Sequence, residues 1–435
     1  MARTRSPSRS RTAVSLGHRV ASRLRAFARK IFLRASAPPR EPNFFRRYRP
    51  VALLLLPLAI AACSRAPTEV TFHATGFPEK LADWGLFTVK DHHIAPHKGM
   101  VTYELATPLF SDYAQKWRTV WMPPGASAKY EPEKTLDFPI GTIITKTFYY
   151  TVPAGAAKPG ESSAVVKMTP ATYQTGVDGL DLSHVRLIET RLLVHRADGW
   201  VGLPYVWNAD QTEATLQRTG AEIPLTFIDG ARRTEFVYSV PNQNQCAGCH
   251  TADYRTRALG PIGPKARHLD MRFPGPGGDI NQLQRLADLH YLTGLPTANV
   301  PTDARWDDPS APLDARARAY LDVNCAHCHS PTGPARVSGL WLHSTVADMR
   351  RVGQCKPPVA AGGGGGDRPY DIVPGHPELS ILPFRMASTD PGAMMPETGR
   401  SLVHKEGVAL IEQWIASLKG ECRVDAAASA EVAMR

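Results

Sequence analysis

The sequence predicts a chain of several domains, in which a β-rich domain is followed by a mainly α region. At 435 residues the chain is longer than one ordinary domain. Alternating or β-branched runs at 141–152, 185–195 and 235–240 are separated by Pro, Gly and Asp, which is typical of strands joined by turns. Toward the C-terminus, apolar residues recur at helical spacing at 314–323 and 407–418. We therefore expect a multidomain protein that begins with a β-sandwich or partly open β-barrel and continues with helices.

Changes in composition and periodicity divide the chain into segments. Hydrophobic residues at helical spacing also predict one helix at 280–292, between the two main regions. The predicted segments are a leader at 1–62 that is removed, a tether at 63–76, the β-rich domain at 77–242, a connecting segment at 243–300, a mainly α domain at 301–423 and a disordered tail at 424–435.

The formal net charge of +11 comes from the N-terminal end of the chain. Residues 1–50 carry 14 of the 51 basic residues and one of the 40 acidic residues. The residues from 63 onward therefore hold 37 basic and 39 acidic side chains, a net charge of −2. Because that part lacks the excess of basic residues typical of nucleic-acid binding, we expect no nucleic-acid partner.

Residues 46–63 have the pattern of an export signal. A basic segment precedes the uncharged apolar run 51–62, which is too short to cross a bilayer. The run ends in Ile-Ala-Ala-Cys63, which resembles a bacterial lipobox, where the cysteine becomes the lipidated first residue. We expect a protein of the bacterial cell envelope that faces the periplasm and reaches the membrane only through a lipid on Cys63. A plain secretory signal is the alternative.

The motif C-x-x-C-H occurs twice, at 246–250 and 325–329. Zinc sites built from paired C-x-x-C units usually place the pairs about 15–20 residues apart, whereas 75 residues separate these. A redox dithiol does not require the histidine that follows each pair. Covalent haem attachment uses every position, since the thiols bond to the porphyrin and the histidine binds the iron. We predict two covalently attached c-type haems, haem 1 on Cys246, Cys249 and His250, and haem 2 on Cys325, Cys328 and His329.

The remaining cysteines can be assigned by elimination. Of the seven cysteines, Cys63 is a candidate for lipidation and four belong to the C-x-x-C-H motifs. An exported protein leaves few thiols free. Cys355 and Cys422 are therefore a candidate disulfide.

Each predicted haem iron needs a sixth ligand if it only transfers electrons. For haem 2, Met395 precedes Pro396 in a loop before the last predicted helix, and a thioether ligand would raise the reduction potential. We predict ligation by Met395, with Met394 or Met386 as substitutes. Haem 1 is less clear. The candidates are Met271, His268 and His290, a ligand from the β-rich domain, or no ligand at all.

With these motifs, the chain resembles a family of bacterial diheme c-type cytochrome lipoproteins. The resemblance also runs through Thr107-Pro-Leu-Phe-Ser-Asp-Tyr-Ala, Leu203-Pro-Tyr-Val-Trp-Asn-Ala-Asp-Gln-Thr and Met395-Pro-Glu-Thr-Gly. It implies an envelope location and haem-based electron transfer, with a class I cytochrome c-like domain at the C-terminus, and it implies no substrate. Phe138-Pro-Ile-Gly-Thr, together with Lys146, is also similar to the cytochrome P460 arrangement, in which the haem is catalytic.

These observations predict a diheme electron-transfer lipoprotein that exchanges electrons with periplasmic redox partner proteins. The competing hypothesis is a diheme enzyme, peroxidase-like or P460-like, whose five-coordinate haem on His250 performs catalysis. A third hypothesis is a haem-bearing scaffold whose β-rich domain binds a sugar or a protein.

Overall fold

The computed structural model describes residues 69–422 except 175, 276–277 and 360–361. The predicted leader, the lipidation candidate Cys63 and the predicted tail at 424–435 lie outside these residues. All the described residues belong to one compact unit. No helix within the described ranges is long and apolar enough to span a membrane.

The chain is mostly β, with 28% strand and 21% helix. The strands in chain order are β1 Phe87–Lys90, β2 His93–Pro96, β3 Val101–Tyr103, β4 Gln115–Trp121, β5 Ala128–Lys129, β6 Ile143–Thr151, β7 Ala164–Val166, β8 Leu180–Asp181, β9 Val185–Arg196, β10 Gly199–Trp207, β11 Ala214–Leu216, β12 Ala221–Asp229, β13 Arg232–Val240, β14 Thr251–Asp253, β15 Ala258–Leu259, β16 Arg272–Gly275, β17 Gly278–Asn281 and β18 Leu292–Thr293. The helices are α1 Cys246–His250, α2 Ala266–Leu269, α3 Gln282–Asp288, α4 Leu313–Leu321, α5 Met349–Val352, α6 Ile381–Ala387 and α7 Lys405–Ser417.

One nine-stranded sheet dominates the fold and curls into a half-barrel over about residues 80–300. Its strand order is β11-β10-β9-β6-β7-β12-β13, and the pair β3-β4 joins through β6. Successive side chains in a strand point to opposite faces, so each strand contributes to two cores. On β9, Leu192 packs into one hydrophobic cluster, whereas its neighbour Leu193 packs into another with α2 and α3.

The prediction of a mainly α, cytochrome c-like domain at the C-terminus is wrong. Among the described residues of that region, only α4 and α7 are longer than two turns, and α7 runs for 13 residues. Between them, 21 of the 83 residues are Pro or Gly, which interrupt helices by removing a donor or by favouring non-helical backbone. The helical periodicity of two segments was therefore not representative of the whole region.

The predicted helix at 280–292 is also shorter than expected. In α3 the side chain of Asn281 caps the helix by accepting from the backbone amides of Leu283 and Gln284. The helix ends at Asp288, and His290 then adopts a left-handed backbone with φ of 58°.

The C-terminal helices pack against each other and against the sheet. Trp414 of α7 is fully buried and donates from Nε1 to the Asp314 carboxylate on α4 at 2.8 Å. A disulfide joins Cys355 to Cys422, with 5.2 Å between their Cα atoms. Asp112, which precedes β4, accepts from the backbone amides of residues 401 and 402. The two hydrogen bonds to Asp112 thus join the C-terminal region to the segment that leads into β4.

Candidate functional site

The first C-x-x-C-H motif forms helix α1, directly after the last strand of the main sheet. The turn before it is closed by reciprocal bonds between Asn242 and Gln245, in which each backbone amide donates to the other side chain. Cys246 packs against the sheet at Gly202, where a Cβ atom would lie only 2.9 Å from the cysteine Sγ. Glycine at 202 is therefore what lets α1 approach the sheet so closely.

The ring of His250 is oriented by a backbone carbonyl. Its Nδ1 lies 2.9 Å from the oxygen of Gly260. Because a carbonyl only accepts, Nδ1 carries the proton and Nε2 carries the lone pair. Burial, reinforced by the charge of Lys146, lowers the pKa of His250 to about 3. The imidazole is therefore neutral at physiological pH, and its Nε2, which has no hydrogen-bond partner among the described residues, is available to bind a metal.

The second motif is ordered in a similar way. It begins within a π-helical turn, Asp322–Ala326, that extends α4. His329 Nδ1 lies 3.0 Å from the Ser338 hydroxyl, which donates to the carbonyl of Ala335 and so accepts from the ring. Burial lowers the pKa of His329 to about 4. His329, like His250, has Nδ1 engaged and Nε2 available.

The two motifs touch each other, although 74 residues separate them in the chain. Cys328 Sγ lies 3.5 Å from the carbonyl oxygen of Gly248, inside the first motif. The segments that follow the motifs also meet, since the amide of Tyr254 donates to the Thr332 carbonyl at 2.9 Å. The Arg336 guanidinium lies 3.8 Å from the Tyr254 ring centroid. The predicted attachment sites therefore form one continuous site.

All four motif thiols are unpaired in the described part of the chain, whereas Cys355 and Cys422 are bonded to each other. Burial raises the pKa of Cys325 and of Cys328 to about 12, so both are neutral thiols. Two free thiols followed by a neutral histidine with an available Nε2 is the donor set that covalent haem requires. The residues present fit that group at both motifs.

A cavity borders Cys325, and the predicted ligands of the second haem lie in or beside its lining. Met386 and Pro396 line it, together with His404. Met395 itself is partly buried, and its carbonyl accepts from the Arg400 guanidinium at 2.9 Å. Met394, its neighbour, is 8% exposed. The loop that carries the predicted ligand Met395 thus lies at this cavity.

The candidate sixth ligands for the first motif are placed differently from one another. His268 is fully buried, with Nε2 3.2 Å from the Asp322 carboxylate and Nδ1 3.3 Å from that of Asp303. Both of its ring nitrogens face carboxylates, which leaves neither directed at an iron in this arrangement. His290 is exposed after α3, and Met271 is partly buried after α2.

His268, Asp303 and Asp322 also offer three ligand atoms within 4.8 Å of one another. The two carboxylates already face cations, because Lys265 Nζ lies 2.6 Å from Asp322 and the Arg267 guanidinium lies 3.5 Å from Asp303. The arrangement is therefore a buried ion network, and it joins α2 to the turn that begins the second motif.

Sequence reasoning missed a group of basic residues on the sheet. Lys116 and Arg118 on β4 lie near Lys146 on β6 and Arg191 on β9. Burial, with the charges of Arg191 and Arg118, lowers the pKa of Lys146 to about 7. The alternation of Lys116 and Arg118 within a strand was the available signal, since both had to fall on one face of the sheet.

Comparison of the chain with protein-family models, with curated proteins and with solved structures gave no match.

Proposed function

We propose that this chain is a diheme c-type cytochrome that transfers electrons at the periplasmic face of the bacterial cell envelope. The observation that carries the proposal is the contact between two C-x-x-C-H motifs, each with unpaired thiols and an oriented histidine. Haem, when bound, supplies one-electron chemistry at its iron, tuned by axial ligands and by nearby hydrogen bonds.

The residues of the chain then have distinct parts. Cys246 and Cys249 would hold one haem, and Cys325 and Cys328 the other. The carbonyl of Gly260 and the hydroxyl of Ser338 fix the ring orientation and the tautomer of the two histidines. Electron transfer between cofactors weakens steeply with distance, so contact between the attachment sites favours exchange between the two haems.

Met395 is proposed as the sixth ligand of the second haem. Its neighbour Pro396 and the nearby Met386 line the cavity beside Cys325, which supports a thioether in this position. A methionine ligand fills the coordination site and favours electron transfer over binding of small molecules.

The location and the partners rest on the sequence. An export signal that ends at Cys63 supports a lipid anchor as the contact with the membrane, and periplasmic redox proteins as the partners.

The test replaces Cys325 and Cys328 together with Ala in the full chain, produced by cells that export the protein and attach c-type haem. We expect the intact mass of the purified protein to fall by one haem and the covalently bound haem per chain to be halved. The matched control replaces Cys355 and Cys422 with Ser, which removes two cysteines and should leave both haems attached. Two haems in the Cys325/Cys328 variant, or none in the unchanged protein, would contradict the proposal.

A second candidate function is catalysis at a five-coordinate haem on His250. The observation that favours it is that both ring nitrogens of His268 face carboxylates, while Lys146, on the same face of the sheet as the first motif, has no ion-pair partner among the described residues. An iron without a protein ligand on one side is open to small molecules.

Carbon monoxide separates the two candidates. If the haem on His250 is five-coordinate, the ferrous protein binds carbon monoxide at one haem per chain, and the spectrum of the resting iron is high-spin. If both irons bind two protein ligands, the absorption spectrum of the reduced protein does not change on addition of carbon monoxide, and the catalytic candidate is excluded.

A further inference from the structure

Three basic residues lie side by side on three neighbouring strands of the main sheet. The register places Arg118 on β4 opposite Lys146 on β6, and Lys146 opposite Arg191 on β9. Side chains directly opposite each other on antiparallel strands are within contact distance, and like charges in such pairs repel. The Arg118-Lys146-Arg191 row is therefore unfavourable unless negative charge is supplied to it or Lys146 releases its proton.

The protein supplies little of that charge. Glu189 is fully buried and forms a bidentate pair with Arg191, with N···O distances of 2.8 and 2.5 Å. It also accepts from the Tyr238 hydroxyl at 2.7 Å, so it is fully engaged. Arg118 donates only a long bond of 3.3 Å to the Lys116 carbonyl among the contacts of the described residues. Lys146 Nζ makes no hydrogen bond or ion pair within the described ranges.

Two other carboxylates lie near the ends of the row, and both have other partners. Glu104, near Arg118, accepts from the Tyr173 hydroxyl. Asp112, near Lys116, accepts from two backbone amides.

Aromatic contact compensates only part of this positive charge. Lys116, Lys146 and Arg191 lie 5.8, 5.3 and 4.3 Å from the ring centroid of Phe148. A ring face attracts cations, but a neutral ring supplies no negative charge, and of these three cations only Arg191 has a carboxylate partner among the described residues.

The row lies on the sheet face that carries the first motif. Pro204 is opposite Arg191, and Gly202 is two residues from Pro204 on β10, so Gly202 is on the same face as the row. Cys246 packs directly on Gly202. The positive row and the first C-x-x-C-H motif are therefore neighbours on one surface.

We propose that the Arg118-Lys146-Arg191 row binds an anion, a carboxylate or a small oxoanion, beside the first motif. The anion can come from two sources. One is a propionate group of a haem on Cys246 and Cys249, and this source rests on the proposed function. The other is a free small anion that enters beside the motif, and this source does not depend on the proposed function. In both cases the anion gives Lys146 the charge partner that the described residues do not provide.

The experiment compares the purified full-length protein with Lys146→Met, which removes the charge at similar length, and Lys146→Arg, which keeps it. Lys90→Met is the control, because Lys90 is 79% exposed on β1. Haem content is first measured by intact mass. Each protein is then titrated calorimetrically with sodium acetate and with sodium nitrite at low ionic strength, and the midpoint potential of each haem is measured.

A free anion predicts saturable binding to the unchanged protein and to Lys146→Arg, with at least a tenfold weaker affinity in Lys146→Met. A haem propionate predicts no such binding, and instead a lower midpoint potential for one haem in Lys146→Met alone, because removing a positive charge favours the oxidised iron. If Lys146→Met changes neither anion affinity nor midpoint potential, the proposal is wrong. If the purified protein carries no haem but binds the anions, the anion site is supported and only the proposed function is wrong.

Discussion

Replacing Asp322 with Asn should destabilise the protein strongly, because this carboxylate is the centre of the buried ion network. It is 2% exposed and accepts from Lys265 Nζ at 2.6 Å, from His268 Nε2 at 3.2 Å and from the amide of Ser344 at 3.0 Å. Lys265, with a side chain 11% exposed, would lose its charge partner without becoming solvated. Removing one member of a buried ion pair costs about 3–5 kcal/mol.

The assay is urea unfolding followed by circular dichroism, with the free energy of unfolding obtained by linear extrapolation. Asp307→Asn is the matched control, because its pair with Arg305 is exposed, at 42% and 53%, and should contribute about 0–1 kcal/mol. A loss below about 1 kcal/mol in Asp322→Asn would refute the reasoning, since it would mean that Lys265 is solvated or paired elsewhere.

The same residue predicts how stability depends on pH. Burial alone would raise the pKa of Asp322, but hydrogen bonds from His268 and His343 and the charge of Lys265 hold it well below the usual range. Because the folded pKa is depressed, the stabilisation is fully present above the unfolded value of about 3.9 and is lost as pH falls below it. The difference in stability between the unchanged protein and Asp322→Asn should therefore shrink below about pH 4.

Two further predictions concern the packing of the motifs and of α7. Gly202→Ala should lower the free energy of unfolding by about 1–3 kcal/mol, because the added Cβ would lie 2.9 Å from Cys246 Sγ. The control Gly363→Ala, with open space around it, should change thermal unfolding little. Equal effects of the two substitutions would contradict the close packing of α1. Lys167→Met removes the 2.5 Å ion pair with Glu406, whose side chain is 37% exposed, and should cost about 0.5 kcal/mol at neutral pH. Burial opposes ionisation of Glu406, but its hydrogen bonds lower its pKa to about 2, so this cost should decline below about pH 4.5 and disappear only as pH falls through about 2. A cost at pH 2 as large as that at neutral pH would contradict it.

Local patterns predicted the positions of elements well where periodicity was strong. Strand β6, Ile143–Thr151, lies within the predicted run at 141–152, and α4, Leu313–Leu321, overlaps the predicted helix at 314–323. In both cases side-chain alternation or helical spacing is a local property that a sequence displays directly. The boundaries of these elements, and the structure of the residues between them, were harder to predict from the sequence. His290 was placed on a helical face, yet the chain leaves the helix before it.

The arrangement of the site depends on long-range pairing that no local pattern contains. The Arg118-Lys146-Arg191 row exists only because of the registers of three strands drawn from residues 115–196. A shift of one residue in either register would send alternate side chains to the other face. The contact between Cys328 and Gly248 likewise joins segments that the spacing of the motifs does not relate.

The surroundings of the second motif explain why it cannot be considered separately from the sheet. Phe110, which precedes β4, lines the cavity beside Cys325 and stacks on His404 with ring centroids 4.3 Å apart. The amide of Phe110 donates to the side chain of Asn324, adjacent to Cys325, at 2.8 Å. Residues on both sides of the first motif thus shape the second, and α2 reaches it through Asp322. Because these contacts join the sheet to the second motif directly, a change in the sheet can alter the environment of that motif, which an independent C-terminal domain would not allow.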